Sequence, residues 1–525
     1  MTAPAAPVNP GMVTLTIEGR EVIVPPGTNL IEAAKTAGVL IPHYCYHPSL
    51  PVAGVCRMCL VEVEKFPKLA PACATTVGEG QVVHVHSDKA REARKGVLEF
   101  LLINHPLDCP ICDQAGECEL QDYTFAEGRK DSRYMEPKRF NPMEDFGGDV
   151  MYVPNRCILC TRCVRFMDVV AKDPVLNVSE RGDRAYIGKF EGRDLTHAWA
   201  SNVVDLCPVG ALLSKDFLNK ARAWELDRAA SICPSCSQGC NVTLETRDNV
   251  VVRIRPRPNM AVNQHFACDV GRMNYRWINR RDRLEFPMQR GADGLSTASW
   301  NDAISTAATA ISAAARVTVL ASAGLSNEAL FLLGRIATHV GATAAMTVTR
   351  GAEAPLPGVK DLALRAERAP NHTGAELFGF TETVSPLAGL AAGDVLVVAD
   401  AAAEFSALPD GVKVILIGTV LADDVAPATI VALPICNFAE EDGTFTNLRG
   451  RVQRFQQAKA SPAQVRPSYR VLAELSSGIG AGSHPSLASE IFAAIATSVP
   501  AFAGLTYRAL GLQGTIVTAP EEATV

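Results

Sequence analysis

The chain has 525 residues, of which 48% are hydrophobic and 20% are charged, and its formal net charge at pH 7 is −6. This is the composition of a soluble protein with several domains, and the interspersed charges exclude a basic field that would bind nucleic acid. Residues 1–12 lack the basic and apolar regions of a secretory signal, and no apolar run reaches the roughly 18 residues of a membrane span, so we expect a cytoplasmic or matrix-side protein.

Cysteine is distributed unevenly along the chain. All but one of the 16 cysteines precede residue 270 and fall into four tight groups. In a reducing compartment this pattern indicates metal ligands rather than disulfides. The exception, Cys436, lies in Leu433-Pro-Ile-Cys436-Asn-Phe and is predicted to be a small buried hydrophobic residue. The other 15 cysteines and His105 make sixteen candidate ligands, or four for each of four centres.

The first predicted domain covers residues 12–90. Alternating residues at 13–24 predict a β-hairpin, and a helix follows with Thr28 as its N-cap and Gly38 at its end. The ligands have the spacing Cys-x10-Cys-x2-Cys-x13-Cys and are Cys45, Cys56, Cys59 and Cys73. The plant-type signature has a shorter first gap, whereas this pattern resembles the wider-loop ferredoxin modules of large dehydrogenases. We therefore predict a β-grasp [2Fe-2S] domain, with a structural zinc site as the alternative.

Residues 91–130 carry one imidazole and three thiols within fourteen residues, namely His105, Cys109, Cys112 and Cys118. A helix precedes them, with Asp88 as its predicted N-cap and Pro106 ending it just after the histidine. Structural zinc sites typically combine two closely spaced cysteines with two distant ligands, whereas here all four candidate ligands lie in one short loop. A cubane [4Fe-4S] cluster fits better. The reading of His105 as a surface residue beside buried thiols leaves their local density unexplained. Residues 127–149 are predicted to be a connector.

The third domain is predicted at residues 146–228. Its ligands combine the Cys-x2-Cys-x2-Cys spacing of bacterial ferredoxins with a distant Cys-Pro, and are Cys157, Cys160, Cys163 and Cys207. The module contains no second close triplet, so Cys207 is expected to complete the same [4Fe-4S] cluster. Arg156, Arg162 and Arg165 flank these ligands and either serve surface solubility or favour the reduced state or docking.

The fourth domain is predicted at residues 229–290. Its ligands have the spacing Cys-x2-Cys-x3-Cys-x27-Cys and are Cys233, Cys236, Cys240 and Cys268. A strand meander at 242–255 is expected to bring the last two together. The pattern suits a [4Fe-4S] cluster and also a four-cysteine zinc ribbon.

From residue 291 to 525 the chain is rich in alanine and contains no clustered ligand. Short apolar runs at 317–323, 395–399, 412–417 and 430–433 alternate with helical stretches such as 327–340, which predicts an α/β domain with a parallel sheet. Neither a dinucleotide nor a phosphate-binding glycine motif is found. Asp424 and residues 440–442 are predicted to be solvated charges, and residues 276–290 a solvated or interdomain face.

The order and spacing of the four ligand groups resemble the family of the NADH-quinone oxidoreductase G subunit, the 75 kDa iron-sulfur subunit of respiratory complex I. The resemblance covers residues 13 to about 290. Residues 321–328 and 437–453 resemble, more loosely, the degenerate molybdopterin-oxidoreductase-like domain of that family. The expected fold is multidomain α+β and α/β: a β-grasp ferredoxin, a His-Cys segment, a ferredoxin-like domain, and then the molybdopterin-oxidoreductase-like α/β region.

The resemblance implies a conduit for electrons. A flavin-bearing, NADH-oxidising subunit would reduce the [2Fe-2S] cluster at Cys45; electrons would then pass to the Cys157 cluster, to the His105 cluster, and to a quinone-proximal iron-sulfur subunit. The Cys233 set resembles the extra, off-path cluster of some bacterial members, which gives one [2Fe-2S] and three [4Fe-4S] clusters. The chain would lie peripherally on the cytoplasmic or matrix face of an energy-transducing membrane, held there by other peripheral-arm subunits.

Two other functions are weighed against this one. The iron-sulfur and molybdopterin subunit of an NAD-linked formate dehydrogenase shares the N-terminal modules, but it would need a second ferredoxin-type cysteine set and a longer molybdopterin domain with a metal-ligand cysteine. Cys436 is the one remaining candidate for that ligand. The second alternative is a non-redox scaffold whose clusters only hold the fold, and potentiometric EPR separates it from a conduit.

Overall fold

The computed structural model describes residues 11–517. The chain separates into two compact units, Met1–Glu225 with Leu356–Lys360, and Leu226–Pro355 with Asp361–Val525. Most of the segment on which the signal-peptide expectation rests, and the last eight residues of the predicted 291–525 domain, lie outside the described residues. Within residues 11–517, no helix has the length and apolar character needed to span a membrane.

The first unit begins with a five-stranded sheet and one helix, which confirms the predicted β-grasp. The strand order across the sheet is Arg20–Val24, Val13–Ile17, Val82–His84, Leu60–Val63 and Ala70–Pro71. The first two strands form the expected antiparallel hairpin. The helix Leu30–Thr36 buries Leu30, Ile31, Ala33 and Ala34 against this sheet. Its N-cap is Asn29, whose side chain accepts from Glu32 N at 3.0 Å, so the prediction of Thr28 is wrong by one residue.

The helix ahead of the His-Cys segment differs from its prediction at both ends. It spans Asp88–Leu102, and its N-cap is Ser87, whose hydroxyl accepts from Ala90 N at 3.3 Å. It ends three residues before His105 rather than just after it. Lys138 Nζ donates to the carbonyls of Leu102 at 2.7 Å and Ile103 at 2.9 Å, which satisfies carbonyl groups that the helix leaves unpaired. His105 therefore lies in the loop beyond the helix.

The rest of the first unit consists of short elements around the ligand loops. Its helices and helical turns are Cys109–Ile111, Glu119–Glu127, Pro154–Arg156, Arg162–Arg165 continued by the π-helix Phe166–Val170, Asn202–Leu206 and Ala223–Glu225. Leu212–Ser214, Val150–Tyr152 and Glu144–Gly147 form an antiparallel sheet, and Leu176–Ser179 pairs with Tyr186–Lys189. The predicted connector is thus structured at both ends.

A distant segment completes the first unit. Leu356–Lys360 belongs to it although the residues on either side belong to the second unit. Gly358 N donates to Val170 O at 2.7 Å, and a Cβ at Gly358 would lie 2.6 Å from Val170 Cα. This segment therefore packs directly on the end of the π-helix.

The second unit begins with the predicted meander. Asp227–Ile232, Asn241–Arg247 and Val250–Pro256 form a three-stranded antiparallel sheet, followed by the helix Asp269–Met273 and the turn Arg276–Asn279.

An eight-stranded sheet forms the core of the second unit. Its strand order is Gly294–Thr297, Met288–Gly291, Thr429–Pro434, Lys413–Gly418, Val395–Ala399, Val317–Ser322, Thr343–Thr347 and Thr381–Glu382. The last six strands are parallel and the first two add an antiparallel edge, so the predicted parallel sheet is confirmed. The four predicted runs are strands because each is apolar and buried on both faces.

Helices and smaller sheets surround these strands. The helices and turns are Trp300–Ala313, Asn327–His339, His372–Leu377, Phe405–Ala407, Ser468–Gly478, Ala488–Ser498, Pro500–Phe502 and Tyr507–Leu510. The smaller sheets are Ala354–Pro355 with Ala363–Leu364, and Gly443–Thr446 with Arg451–Phe455 and Thr515–Ile516.

Some charges predicted to be solvated are buried. Glu440 accepts from Arg283 at 2.7 Å, and Glu441 accepts from the amide and hydroxyl of Ser468 at 2.6 and 2.8 Å. Burial is tolerated because each charge or polar group has a partner. The solvated reading is therefore wrong for Glu440, Glu441 and Arg283, whereas Asp424 is exposed as expected.

Candidate metal centres

The four thiols of the first predicted set lie in one group. The Cys45 thiol lies within interaction distance of the thiols of Cys56 and Cys73, and the Cys59 thiol lies within interaction distance of that of Cys73. The contacts with Cys56 and Cys73 lower the pKa of Cys45, and the same contacts raise the pKa values of Cys56 and Cys73. Cys45 N also donates to Cys56 Sγ at 3.4 Å. Cys45, Cys59 and Cys73 are buried and Cys56 is half-buried, and four converging soft donors of this kind suit an iron-sulfur cluster.

The three thiols of the His-Cys segment also approach one another. Cys112 and Cys118 are buried and Cys109 is exposed. Burial, with a smaller contribution from the charges of Cys112 and Cys109, raises the pKa of Cys118 to about 11. The three side chains therefore lie within electrostatic reach of one another.

His105 is half-buried, and its Nδ1 atom is enclosed by protein. Its Nδ1 has no hydrogen-bond partner among residues 11–517. Burial, reinforced by Lys138 and Arg156, lowers its pKa to about 4. Neutral imidazole is the form that ligates metals, so the side chain is prepared for that role. The cavity that His105 lines also contains Cys157, a member of the next set.

The third set shares one small apolar cavity. Its lining includes Cys157, Cys160, Cys163 and Cys207. Burial raises the pKa values of Cys157 and Cys207 to about 11 and that of Cys160 to about 12. Between the ligands, Leu159 has φ +53° and Thr161 has φ +61°, a backbone region that such residues rarely adopt. Local strain of this kind is typical of functional loops.

The fourth set converges beside a glycine. Burial and the charges of the other three thiols raise the pKa of Cys240. Gly271 N donates to Cys268 Sγ at 3.3 Å, and a Cβ on Gly271 would lie 2.9 Å from Cys233 Sγ and 3.4 Å from Cys268 Sγ. Gly271 therefore leaves space for two sulfurs that any side chain would disturb.

The structure thus groups the thiols of all four sets, and the donor chemistry fits iron-sulfur clusters. Three observations support the fit: the shared cavity of Cys157, the free ring nitrogen of His105, and the space beside Gly271. In the described part of the chain, no three His, Cys, Asp or Glu side chains are arranged to hold a single metal ion. Cys436 is buried, as predicted.

Two arginines near these ligands are not surface groups. Arg156 and Arg162 are 6% and 5% exposed, so the solubility reading is wrong for both. Arg156 donates to Asp108 at 2.9 Å, four residues before Cys112. Sequence reasoning missed Asp108, and it also missed Gly210, where a Cβ would lie 2.2 Å from Cys112 Sγ. The small residue shortly after Cys207 was the available signal for Gly210.

Five protein-family models match the chain in the predicted order. They are the 2Fe-2S iron-sulfur cluster binding domain at 11–88, the NADH-ubiquinone oxidoreductase-G iron-sulfur binding region at 94–133, the NADH-quinone oxidoreductase subunit 3 ferredoxin-like domain at 147–213, the molybdopterin oxidoreductase Fe4S4 domain at 227–280, and molybdopterin oxidoreductase at 390–478. The predicted fold class is confirmed, and the chain contains one 2Fe-2S region as well as 4Fe-4S regions.

Curated relatives with similar sequences are named as subunits of NADH oxidoreductases. The G subunit of the NADH-quinone oxidoreductase of Rickettsia bellii (strain RML369-C) is 40% identical over 332 residues, which cover 63% of this chain and 49% of the relative. The chain is homologous to the G subunit of NADH-quinone oxidoreductase. The mitochondrial NADH-ubiquinone oxidoreductase 78 kDa subunit of Candida albicans (strain SC5314 / ATCC MYA-2876) is 44% identical over 302 residues, which cover 57% of this chain and 42% of the relative. The chain thus spans about half the length of these curated relatives.

A solved structure is also similar in sequence. A chain in the crystal structure of NAD+-reducing [NiFe]-hydrogenase in the H2-reduced state is 31% identical, with 40% of this chain and 90% of that chain covered. The TM-score is 0.37, too low to relate the two folds as wholes.

Proposed function

We propose that this chain is the electron-conduit subunit of a proton-pumping NADH:quinone oxidoreductase. The observation that carries the proposal is the packing of three ligand sets within one compact unit. Arg165, two residues after Cys163 of the third set, donates to the carbonyl of Cys45 in the first set. Pro208 O, next to Cys207, accepts from Glu119 N, next to Cys118, at 3.0 Å. Ligand loops in direct contact support electron transfer between neighbouring centres.

The proposed cofactors are one [2Fe-2S] cluster and three [4Fe-4S] clusters. The [2Fe-2S] ligands are Cys45, Cys56, Cys59 and Cys73, and the [4Fe-4S] sets begin at His105, Cys157 and Cys233. Their domains are 12–90, 91–130, 146–228 and 229–290, followed by a degenerate molybdopterin-oxidoreductase-like domain at 291–525. When bound, such clusters accept and donate single electrons.

The residues of the chain hold these sites and exclude water from them. The Tyr152 ring and the Ile187 side chain line the Cys157 cavity, and the thiols become thiolates when they bind metal. Hydride transfer from NADH needs a cofactor such as flavin, which takes two electrons and releases them singly. The proposed partners are therefore a flavin-bearing NADH-oxidising subunit, a quinone-proximal iron-sulfur subunit and other peripheral-arm subunits. We expect no NADH oxidation by the isolated chain.

The comparisons favour this function over a formate dehydrogenase and favour a cluster over zinc at the Cys233 set. The formate dehydrogenase reading receives no support from the names of the relatives, and the segment that contains His105 matches an NADH-ubiquinone oxidoreductase-G region. For the Cys233 set, the match to an Fe4S4 domain favours an iron-sulfur cluster over a zinc ribbon.

Ligand removal in the assembled enzyme tests the conduit. Cys160→Ser should abolish NADH-to-quinone electron flow and spare NADH:ferricyanide activity, because the artificial acceptor draws electrons upstream at the flavin. Cys436→Ser is the matched control, since Cys436 is equally buried but lies outside the four sets, and both activities should persist. Quinone reduction at the wild-type rate in Cys160→Ser would contradict the proposal.

A further inference from the structure

Two arginines occupy the junction between the ligand loops of the first unit. Arg162 and Arg165 lie three residues apart on the helix Arg162–Arg165 and flank the ligand Cys163. Side chains at this spacing share one face of a helix. The Arg162 side chain is 6% exposed, so its charge is held inside the protein.

Arg162 bonds to loops from three different ligand sets. Its Nη2 donates to Tyr46 O at 2.8 Å, and its Nη1 donates to Leu206 O at 3.2 Å and to Glu119 Oε1 at 3.3 Å. Each partner is the sequence neighbour of a predicted ligand: Tyr46 follows Cys45, Leu206 precedes Cys207, and Glu119 follows Cys118. One guanidinium therefore ties together the [2Fe-2S], Cys157 and His105 sets.

Arg165 also donates hydrogen bonds to ligand loops, but to those of two sets rather than three. Its Nη2 donates to Cys45 O at 2.5 Å and to Cys160 O at 3.2 Å, and its Nη1 donates to Pro51 O. These acceptors belong to two sets, the [2Fe-2S] set and the Cys157 set, and none lies in the His105 segment. The two arginines thus differ in how many sets they join.

The chemistry of these contacts requires arginine. A planar guanidinium presents five donors in a fixed fork, whereas lysine carries a compact charge that cannot hold several carbonyl groups in set directions. Hydrogen bonds from a charged donor are stronger than neutral ones. A buried cation is costly unless it is compensated, and Arg162 pairs with the Glu119 carboxylate at 3.3 Å. It also faces three loops whose thiol ligands become anionic on metal binding.

We propose that Arg162 is the positioning residue that fixes the mutual placement of the three on-path cluster sites and supplies a positive charge shared by all three. Arg165 has the corresponding role for the [2Fe-2S] and Cys157 sites alone. The proposal rests on the proposed conduit function and goes beyond it, because it assigns the geometry and electrostatics of the path to one side chain.

The test compares Arg162→Lys, Arg162→Gln and Arg165→Lys in the assembled enzyme, with Arg193→Lys as the control. Arg193 is an exposed arginine of the same unit that pairs with Asp173. The readouts are iron content, the midpoint potential of each cluster by EPR titration, and the magnetic interaction between clusters measured from spin relaxation.

In Arg162→Lys we expect full iron content and nearly unchanged potentials, because the charge remains, but altered magnetic interactions among all three clusters. Quinone reduction should fall roughly tenfold or more, since small misplacements of reacting groups reduce rates steeply. Arg162→Gln should also lower the potentials of all three clusters, because a nearby cation favours their reduced forms. Arg165→Lys should alter the interaction between the [2Fe-2S] and Cys157 clusters alone.

Unchanged magnetic interactions and quinone reduction in Arg162→Lys would overturn the proposal, as would wild-type potentials in a fully loaded Arg162→Gln. If Arg162→Gln loses iron, the interactions in Arg162→Lys decide the question. Failure of the conduit function is a separate result, recognised by clusters in the wild-type enzyme that NADH does not reduce.

Discussion

Among single residues, Gly210 allows two ligand loops to approach each other because it has no side chain. Gly210 lies three residues after Cys207, and a Cβ there would be 2.2 Å from Cys112 Sγ, a distance that real Cβ atoms essentially never show. The constraint is close packing rather than backbone conformation. The sulfur of one set thus rests directly on the loop that supplies a ligand of another.

Gly210→Ala should displace Cys112 and destroy the His105 cluster. We expect the iron content to fall by about four atoms per chain, with loss of one EPR signal and retention of the [2Fe-2S] signal. Iron analysis and low-temperature EPR measure this.

The control for this substitution is Gly96→Ala. A Cβ at Gly96 meets nothing within 4 Å, and the residue lies inside the helix Asp88–Leu102. Alanine there should preserve all iron and stabilise the helix by roughly 0.5–1 kcal/mol. Full iron content and an unaltered His105 signal in Gly210→Ala would show that the Cys112 loop yields without consequence.

His105 provides a second prediction at this scale. Imidazole binds a cluster as a neutral ligand and thiolate as an anion, so His105→Cys should retain the cluster and lower its midpoint potential. EPR titration against the wild type measures the shift, with His86→Cys, a substitution at an exposed site, as the control. An unchanged potential and spectrum would exclude His105 as a ligand.

The spacing of the cysteines predicted the ligands, but it did not predict the side chains, such as Arg162, that hydrogen-bond to the ligand loops. Cysteines three or four positions apart predict a shared centre, because one turn of chain holds them together. The partners of Arg162 lie 43, 44 and 116 residues away, so only tertiary packing brings them together. Its position beside a predicted ligand was visible in the sequence, whereas its burial was not.

At the scale of elements, strands were easier to predict than helix ends. The parallel strands are apolar runs buried on both faces, a strong signal. Two N-caps were wrong by one residue, since Thr28 and Asn29, like Ser87 and Asp88, are all competent caps and local geometry selects one. The helix end near His105 depends on Lys138, a residue of a distant segment.

The helix Asn327–His339 carries a buried acid that predicts a pH effect. Burial raises the pKa of Glu328 to about 7, although its carboxylate accepts from Thr444 N at 2.9 Å. The folded state therefore holds a proton that the unfolded chain loses above its usual pKa of 4.5. The contribution of Glu328 to the free energy of unfolding is fully present below about pH 4.5 and is lost as the pH rises through about 7.

The free energy of unfolding of the wild type should fall between about pH 5 and pH 8. Glu328→Gln should reduce this fall by an amount on the order of 2 to 3 kcal/mol. Part remains because burial also raises the pKa of Glu441, to about 8. Thermal unfolding across this pH range measures the effect. Glu490→Gln, at an exposed position in the first turn of another helix, should leave the pH dependence unchanged. Identical profiles for Glu328→Gln and wild type would contradict the prediction.

At the scale of the whole molecule, the metal content distinguishes the possible cofactor sets. One [2Fe-2S] and three [4Fe-4S] clusters hold about 14 iron atoms per chain. Anaerobically purified protein should give this value by iron and acid-labile sulfide analysis, and Cys236→Ser should lose about four atoms. A value of about 10 iron atoms with one bound zinc would instead assign the Cys233 set to a zinc ribbon.

The segment Leu356–Lys360 limits where the gene can be cut or recombined without disrupting the first unit. A gene fragment that ends at residue 225 encodes every proposed ligand of the first three sets but omits the segment whose Gly358 packs on Val170. Val170 closes the π-helix that continues from Arg162–Arg165, so the omission exposes the far end of the same element. The first unit is contiguous in space but interrupted in the gene. Recombination that exchanges only residues 1–225 would therefore combine a Val170 surface and a Leu356–Lys360 segment from different genes, although these two surfaces pack on each other.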